Sequence, residues 1–207
     1  MGTELEQKYV VDSTRPWAVQ TQLISQLSRA GYQVIFVEET PQQDTYFDTP
    51  GEAILKGGGS LRLREKGEKR LLSVKSMLRS EGGTFLRRED ELVLSGEADP
   101  RAFLRTYLPE VDLEDLMPMA VVVNLRRTYE VSRTAGGRFE LAFDDVTYQN
   151  PSTGREYRER QVEIEALSGT QADLERVVSA LRLSELRPAS ESKYQRAVRL
   201  TTKTVEG

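Results

Sequence analysis

The 207-residue chain contains neither cysteine nor histidine, and it has a single tryptophan. The lack of cysteine excludes disulfides, thiolate metal sites and cysteine nucleophiles, and it fits a reducing cytoplasm. The lack of histidine excludes a Ser-His-Asp triad. Any acid–base or metal chemistry must therefore use carboxylates, lysines, tyrosines and water.

Long apolar runs are also missing. No segment approaches 18 consecutive apolar residues, and no signal-peptide core follows Met1. The formal net charge of −4 argues against a general nucleic-acid binder. We therefore expect a cytoplasmic protein without membrane or nucleic-acid partners. Its length predicts one domain over residues 1–207, as either a monomer or a homodimer.

What the sequence does contain is strands in which charged and apolar residues alternate. About eight strands are predicted, mostly joined by hairpins, as over 60–65 and 71–75, where the turn falls at 66–69. Helices are predicted to begin at Pro16 after a Ser13 or Thr14 cap, and at Pro100 after Asp99. A third is predicted after Thr170, and a last short one carries residues 192–194.

The alternation permits two interpretations. In an open sheet the charged face would simply be in water. In a closed barrel with helices outside, the charges would line the lumen, where they must be paired or bound to ions or ligands. The pattern alone is compatible with both interpretations. The side chains concerned are Arg62, Arg64, Lys75, Glu89, Glu91, Asp144, Glu163 and Glu165.

The first strand carries Glu4, Glu6 and Lys8 at a spacing of two, so the three side chains share one face. Carboxylates about 7 Å apart on a strand can hold hard divalent cations through oxygen ligands. The neighbouring ammonium suits a ligand that is itself anionic. Taken alone, the same pattern also fits ordinary surface charge.

Nine short segments in a fixed order resemble the CYTH superfamily, the triphosphate tunnel metalloenzymes. They are Glu4-x-Glu6-x-Lys8, 44–50, 61–64, 73–75, Arg87-x-Glu89-x-Glu91, Arg126, 143–146, 162–165 and 192–194. The resemblance implies an α+β fold whose eight-stranded antiparallel β-barrel closes into a tunnel, with helices packed outside. It also implies binding of a triphosphate-containing small molecule together with Mg²⁺ or Mn²⁺.

The resemblance further assigns roles to individual residues. Those implied as metal ligands are Glu4, Glu6, Glu163 and Glu165, with Glu89, Glu91 and Asp144 as further ligands. Those implied as phosphate ligands are Lys8, Arg62, Arg64, Lys75, Arg87, Arg126 and Lys193. Those implied as catalytic are Glu4, Glu6, Lys75 and Glu165.

Some positions remain ambiguous within the resemblance. Arg87 and Arg138 are expected either in the lumen or in structural pairs with Glu91 or Glu140. Asn124 stands where many members have a lysine, and Arg127 is the residue expected to compensate. Tyr46 and Asp48 are expected to serve barrel packing and turn formation.

Members of the family hydrolyse inorganic triphosphate, thiamine triphosphate or nucleoside triphosphates, or convert ATP to cyclic AMP. The cyclases usually carry histidine-containing elements, and this chain has no histidine. A chain poor in aromatic residues also provides no clear platform for a thiazolium or adenine ring. We therefore expect hydrolysis of inorganic triphosphate to pyrophosphate and phosphate. The alternatives are the other family activities, a non-catalytic polyphosphate- or nucleotide-binding module, and a structural domain with a wet charged face.

Overall fold

The computed structural model describes residues 2–81, 84–134, 136–181 and 184–202. Nine strands run through this part of the chain. They are β1 Gly2–Val11, β2 Gln33–Asp48, β3 Gly59–Lys66, β4 Lys69–Glu81, β5 Thr84–Val93, β6 Met117–Ser132, β7 Arg138–Gln149, β8 Glu156–Ser168 and β9 Leu186–Pro188.

The strands form one antiparallel sheet in the order β5-β4-β3-β2-β6-β7-β8-β1-β9. A further pairing between β1 and β5 closes strands β1 to β8 into a barrel, and β9 lies on the edge of β1 outside it. In the pairing of β1 with β8, Glu6 is opposite Glu165, and Lys8 is opposite Glu163. The predicted eight-stranded closed barrel is confirmed, and the open-sheet alternative is wrong.

The helices are α1 Pro16–Arg29, α2 Ala53–Lys56, α3 Pro100–Tyr107, α4 Gln171–Ser179 and α5 Lys193–Thr202. The predicted caps of α3 and α4 are confirmed, because Asp99 accepts from Ala102 N and Thr170 forms a reciprocal capping box. The predicted cap of α1 is wrong. Arg15 occupies that position without a side-chain hydrogen bond, and Ser13 Oγ accepts from the Arg15 backbone N–H instead.

The largest core lies between the barrel wall and helices α1 and α4. Leu23 and Leu27 of α1 and Leu174 of α4 are fully buried against Leu141 of β7 and Ile164 of β8. These strand residues occupy the odd-numbered face of β7 and the even-numbered face of β8. The opposite faces, which carry Asp144 and Glu163, are consequently left for the barrel interior.

Helix α5 packs at one end of the barrel on residues that face inward. Tyr194 and Ala197 form a buried cluster with Tyr46, Val122 and Tyr148. Val122 and Tyr148 share their strand faces with Asn124 and Asp144, which are buried inside the barrel. The first turn of α5 is thereby directed at the interior.

Several elements differ from the sequence-based expectation. The sequence pattern predicts separate strand segments at 32–37 and 44–49, but they form one strand, β2, which continues through Pro41 with a bulge at Val37. The hairpin at 66–69 is confirmed, with Gly67 at φ +58°. The doublet Gly82-Gly83, which the sequence predicts to be a turn, lies outside the described residues. None of the helices in the described part of the chain is long and apolar enough to span a membrane.

Candidate functional site

The barrel encloses a polar cavity of about 240 Å³. Its walls come from the inward rows of most strands and from the first turn of α5. The lining residues are Glu4, Lys8, Tyr46, Ser60, Arg62, Arg64, Lys75, Arg87, Glu89, Glu91, Arg126, Glu140, Glu163, Glu165, Ser192, Lys193 and Tyr194. Seven are cationic and six are acidic.

All seven residues predicted to bind phosphate line this single cavity, although they come from five strands and a helix. Of the seven predicted metal ligands, five line it as well. The other two, Glu6 and Asp144, are buried immediately behind the wall, with 1% and 2% of their surface exposed. The structure thus brings together every side chain that the sequence assigned to the site.

Asp144 and Glu163 form the centre of a buried ion-pair cluster. Arg126 donates to both carboxylate oxygens of Asp144 at 2.8 and 2.7 Å, and Lys193 Nζ lies 2.9 Å from Asp144 Oδ2. Both cations also donate to Glu163, which lies 3.0 Å from Lys8 Nζ. Although burial opposes ionisation, Arg126 and Lys193 hold the pKa of Asp144 down at about 2.

The inward row of β1 links this cluster to the opposite wall. Glu6 accepts from Arg87 Nη1 at 2.7 Å and lies 3.1 Å from Lys8 Nζ. Glu4 accepts from Lys75 Nζ at 2.8 Å. Burial raises the pKa of Glu4, but Lys75 and Lys8 more than offset that effect and lower it to about 2. Glu4 is therefore ionised at neutral pH, and both glutamates are paired with cations.

A third group of contacts is centred on Asp44, which the sequence analysis did not assign to the site. Arg64 donates to both oxygens of Asp44 at 2.7 Å, and Arg62 Nη1 lies 3.6 Å from the same carboxylate. Arg62 also reaches Glu89 at 3.2 Å. Asp44 lies on the same inward row as Tyr46, so the alternation of β2 was the signal that could have identified it.

Negative charge exceeds positive charge on the wall formed by β7, β8 and β1. Glu140, Glu165 and Glu6 are aligned in one row across these strands. Burial and the charges of Glu4 and Glu6 raise the pKa of Glu165 to about 8. Burial likewise raises the pKa of Glu140, against the effect of Arg126. Glu140 was also missed, although it lies four residues before Asp144 on the same face.

This excess charge bears on whether the residues fit a divalent cation. Carboxylate oxygens are the donors that Mg²⁺ and Mn²⁺ prefer. The charges of Glu4 and Glu6 repel an ionised Glu165, and a dication would relieve that repulsion. Among the described residues, however, no group of three or more acidic side chains is arranged to hold a metal ion as it stands. The oxygen donors present therefore fit such an ion. To bind it, Glu4 and Glu6 would have to exchange their lysine and arginine partners for the metal ion.

The ambiguous positions are resolved by the strand faces. Arg87 lines the cavity and pairs with Glu6. Arg138 is exposed and pairs with Glu130, so both expected positions, the lumen and a pair with Glu91 or Glu140, are wrong.

Arg127 does not compensate for Asn124, because it lies on the outer face. There it pairs with Glu39 and lies over the ring of Trp17 at 4.0 Å. Asn124 faces inward and donates to Asp144 Oδ1 at 2.8 Å. Asn124 therefore orients the carboxylate of Asp144, whereas a lysine at this position would supply a positive charge.

Asp48 organises the end of the cavity near α5. Its carboxylate accepts from the backbone N–H groups of Ile54 and Leu55 at 2.9 Å, which begins α2. It also accepts from the hydroxyl of Tyr194 at 3.0 Å. The ring of Tyr194 stacks on Tyr46, with centroids 5.1 Å apart. The structural role expected for Asp48 agrees with these contacts.

Comparison with solved structures places this architecture among known proteins. HpAC1 from Hippeastrum, a proposed adenylyl cyclase described as having a dominant triphosphatase activity, aligns over 98% of this chain and 99% of its own, with a TM-score of 0.68 and 16% identity. A proposed adenylate cyclase from Bacillus halodurans aligns over 95% and 98%, with a TM-score of 0.58 and 20% identity. At such identities the likeness concerns the fold.

No curated protein sequence matches the chain significantly. A family model does: the CYTH domain matches residues 4–198, which covers the cavity and every strand that forms it. The chain therefore belongs to the CYTH domain family.

Proposed function

We propose that this protein is a metal-dependent hydrolase of triphosphates, and that inorganic triphosphate, cleaved to pyrophosphate and phosphate, is its substrate. The observation that carries the proposal is the convergence of seven cationic side chains on one polar cavity. A triphosphate carries four to five negative charges, and arginines suit its oxygens because they can donate two parallel hydrogen bonds. The triphosphatase activity described for HpAC1 supports the reaction class.

The aromatic residues of the cavity favour a substrate without a ring. Tyr46 and Tyr194 stack on each other with an angle of 4° between their planes, and Tyr194 has no exposed surface. Neither ring therefore offers a free face to an adenine or thiazolium group among the residues lining the cavity. Thiamine- or nucleoside-triphosphate hydrolysis, cyclisation of ATP, and binding without turnover are the alternatives.

Within this proposal the two signs of charge have different tasks. Arg62, Arg64 and Lys193 bind and orient the phosphate chain, while Glu4, Glu6 and Glu165 would hold Mg²⁺ or Mn²⁺. Such an ion lowers the pKa of bound water and neutralises charge on phosphate oxygens. Phosphoryl transfer requires mostly positioning and charge neutralisation, which a site without histidine or cysteine can provide.

The first expected result is turnover of inorganic triphosphate that depends on a divalent cation. Purified protein is offered inorganic triphosphate, thiamine triphosphate, ATP and GTP with Mg²⁺ or Mn²⁺, while phosphate and cyclic AMP are both measured. We expect phosphate release to be fastest from inorganic triphosphate and to stop in excess chelator. Turnover that persists in chelator would contradict the metal, and tight binding without phosphate release would identify a binding module.

A second expected result is stabilisation by the ligand. Triphosphate and Mg²⁺ would neutralise both sets of cavity charges in the native state only. A hundredfold excess over Kd then adds about 2.7 kcal/mol to the free energy of unfolding. For a chain of this size the melting temperature should rise by roughly 5–10 °C. Orthophosphate at matched ionic strength is the control, and an unchanged melting curve with millimolar triphosphate would contradict a native triphosphate site.

A further inference from the structure

The hydroxyl of Tyr46 has no hydrogen-bond partner among the described residues, although Tyr46 is only 5% exposed and lines the cavity. Packing alone would be satisfied by phenylalanine, because the contacts of Tyr46 with Tyr194, Val122 and Tyr148 are made by its ring. Because Tyr46 lines the cavity, its hydroxyl is available to a molecule bound there, which a phenylalanine at this position could not contact through a hydrogen bond.

The ring of Tyr46 is held in place by Tyr194. Tyr194 stacks on it, and the Tyr194 hydroxyl is itself fixed by Asp48 at 3.0 Å. Asp48 is anchored in turn by the backbone N–H groups that begin α2. The hydroxyl is consequently positioned in advance and loses little conformational freedom when a ligand binds.

The surroundings of the hydroxyl are those of an anion site. Tyr46 is directly opposite Arg62 in the pairing of β2 with β3, and the charges of Arg62, Arg64 and Lys8 all act on its phenol. Burial and the neighbouring Asp44 nevertheless raise the pKa of Tyr46. The phenol therefore stays protonated at neutral pH, and it can donate a hydrogen bond.

We propose that the Tyr46 hydroxyl donates a hydrogen bond to a phosphate oxygen of the bound substrate, next to Arg62 and Arg64. Tyr46 is then a substrate-binding residue in addition to a packing residue. This inference rests on the proposed function, since it assumes that the cavity holds a triphosphate. A neutral donor differs from the cations in one measurable way: its contribution to affinity does not depend on ionic strength, whereas theirs is screened by salt.

The test compares three variants for binding of inorganic triphosphate in excess chelator, measured by calorimetry at several salt concentrations. Tyr46→Phe keeps the stacked ring, and we expect it to weaken binding about tenfold at every salt concentration. Arg64→Ala should weaken binding most at low salt. Tyr129→Phe is the matched control, because its hydroxyl meets Gln20 on the outer face of the barrel, and its affinity should equal that of the wild type.

The possible outcomes separate this inference from the proposed function. Wild-type protein that binds no triphosphate, either in chelator or with a divalent cation, would overturn the proposed function and this inference together. Tight wild-type binding with an unchanged affinity in Tyr46→Phe would overturn this inference alone. So would a loss of affinity in Tyr46→Phe that tracks a fall in melting temperature, since that would indicate a packing defect.

Discussion

Glu165→Gln is expected to abolish triphosphate turnover and yet to stabilise the metal-free protein at alkaline pH. Turnover is lost because Glu165 is one of the carboxylates proposed to hold the metal ion. Stability is gained because burial and the nearby Glu4 and Glu6 raise the pKa of Glu165 from 4.5 to about 8. One substitution should thus change activity and stability in opposite directions.

The sign of the stability effect follows from proton linkage. Below pH 4.5 both the folded and unfolded states of Glu165 are protonated, so wild type and variant should be equally stable. Between pH 4.5 and 8 the unfolded state releases a proton that the folded state keeps, and the wild type loses stability as the pH rises. At pH 9 the variant should be more stable by about 2 kcal/mol or more.

Chemical denaturation in chelator at pH 4.5, 7 and 9, together with steady-state rates in Mg²⁺, measures both effects. Glu156→Gln is the matched control, because Glu156 lies exposed on the same strand. A variant that is destabilised at pH 9 would show that Glu165 is not repelled by its neighbours. By contrast, Glu6→Gln is a poor test of a metal ligand, because Glu6 is buried and pairs with both Arg87 and Lys8, so its loss would also disturb the packing of these cations.

The second large effect is expected from Asp144→Asn, which should destabilise the protein by about 3 kcal/mol. Asp144 is buried, and removing its charge leaves Lys193 with Glu163, and Arg126 with Glu163 and the more distant Glu140. The pKa of Asp144 is about 2, below its ordinary value of 3.8. Its contribution is therefore complete above pH 3.8 and is lost as the pH falls through about 2.

Asp145→Asn is a control that differs by one position. Asp145 faces outward, where it pairs with Arg160 at 2.5 Å and lies 3.7 Å from Arg127. A pair at the surface is worth less than about 1 kcal/mol. Urea denaturation of both variants at pH 7 and pH 3 should show a large difference that shrinks in acid. Equal effects would contradict the buried cluster around Asp144.

Much of the site could be predicted because strands alternate strictly. Once the nine segments fixed which face of each strand is inward, the cavity residues Arg62, Lys75 and Glu89 followed from a spacing of two. Local signals also sufficed for the caps Asp99 and Thr170, whose hydrogen bonds reach only three residues along the chain.

The partners of the charged residues could not be predicted, because they depend on register between distant strands. Adjacent residues such as Arg126 and Arg127 have opposite roles, and only the pairing of β6 with β7 decides which faces inward. Pro41 does not break β2. In the structure it faces Leu125 of β6, two residues before the pairing of β2 with β3 begins at Gln43, so its missing N–H is tolerated.

The closing position of β1 has a consequence for how the molecule is made. This strand pairs with β5, β8 and β9, and β8 begins only at Glu156. Lys8 must therefore stay in water until β8 has been synthesised, since its cross-strand partner Glu163 lies on that strand. The barrel cannot close before then, and such non-local closure predicts slow folding.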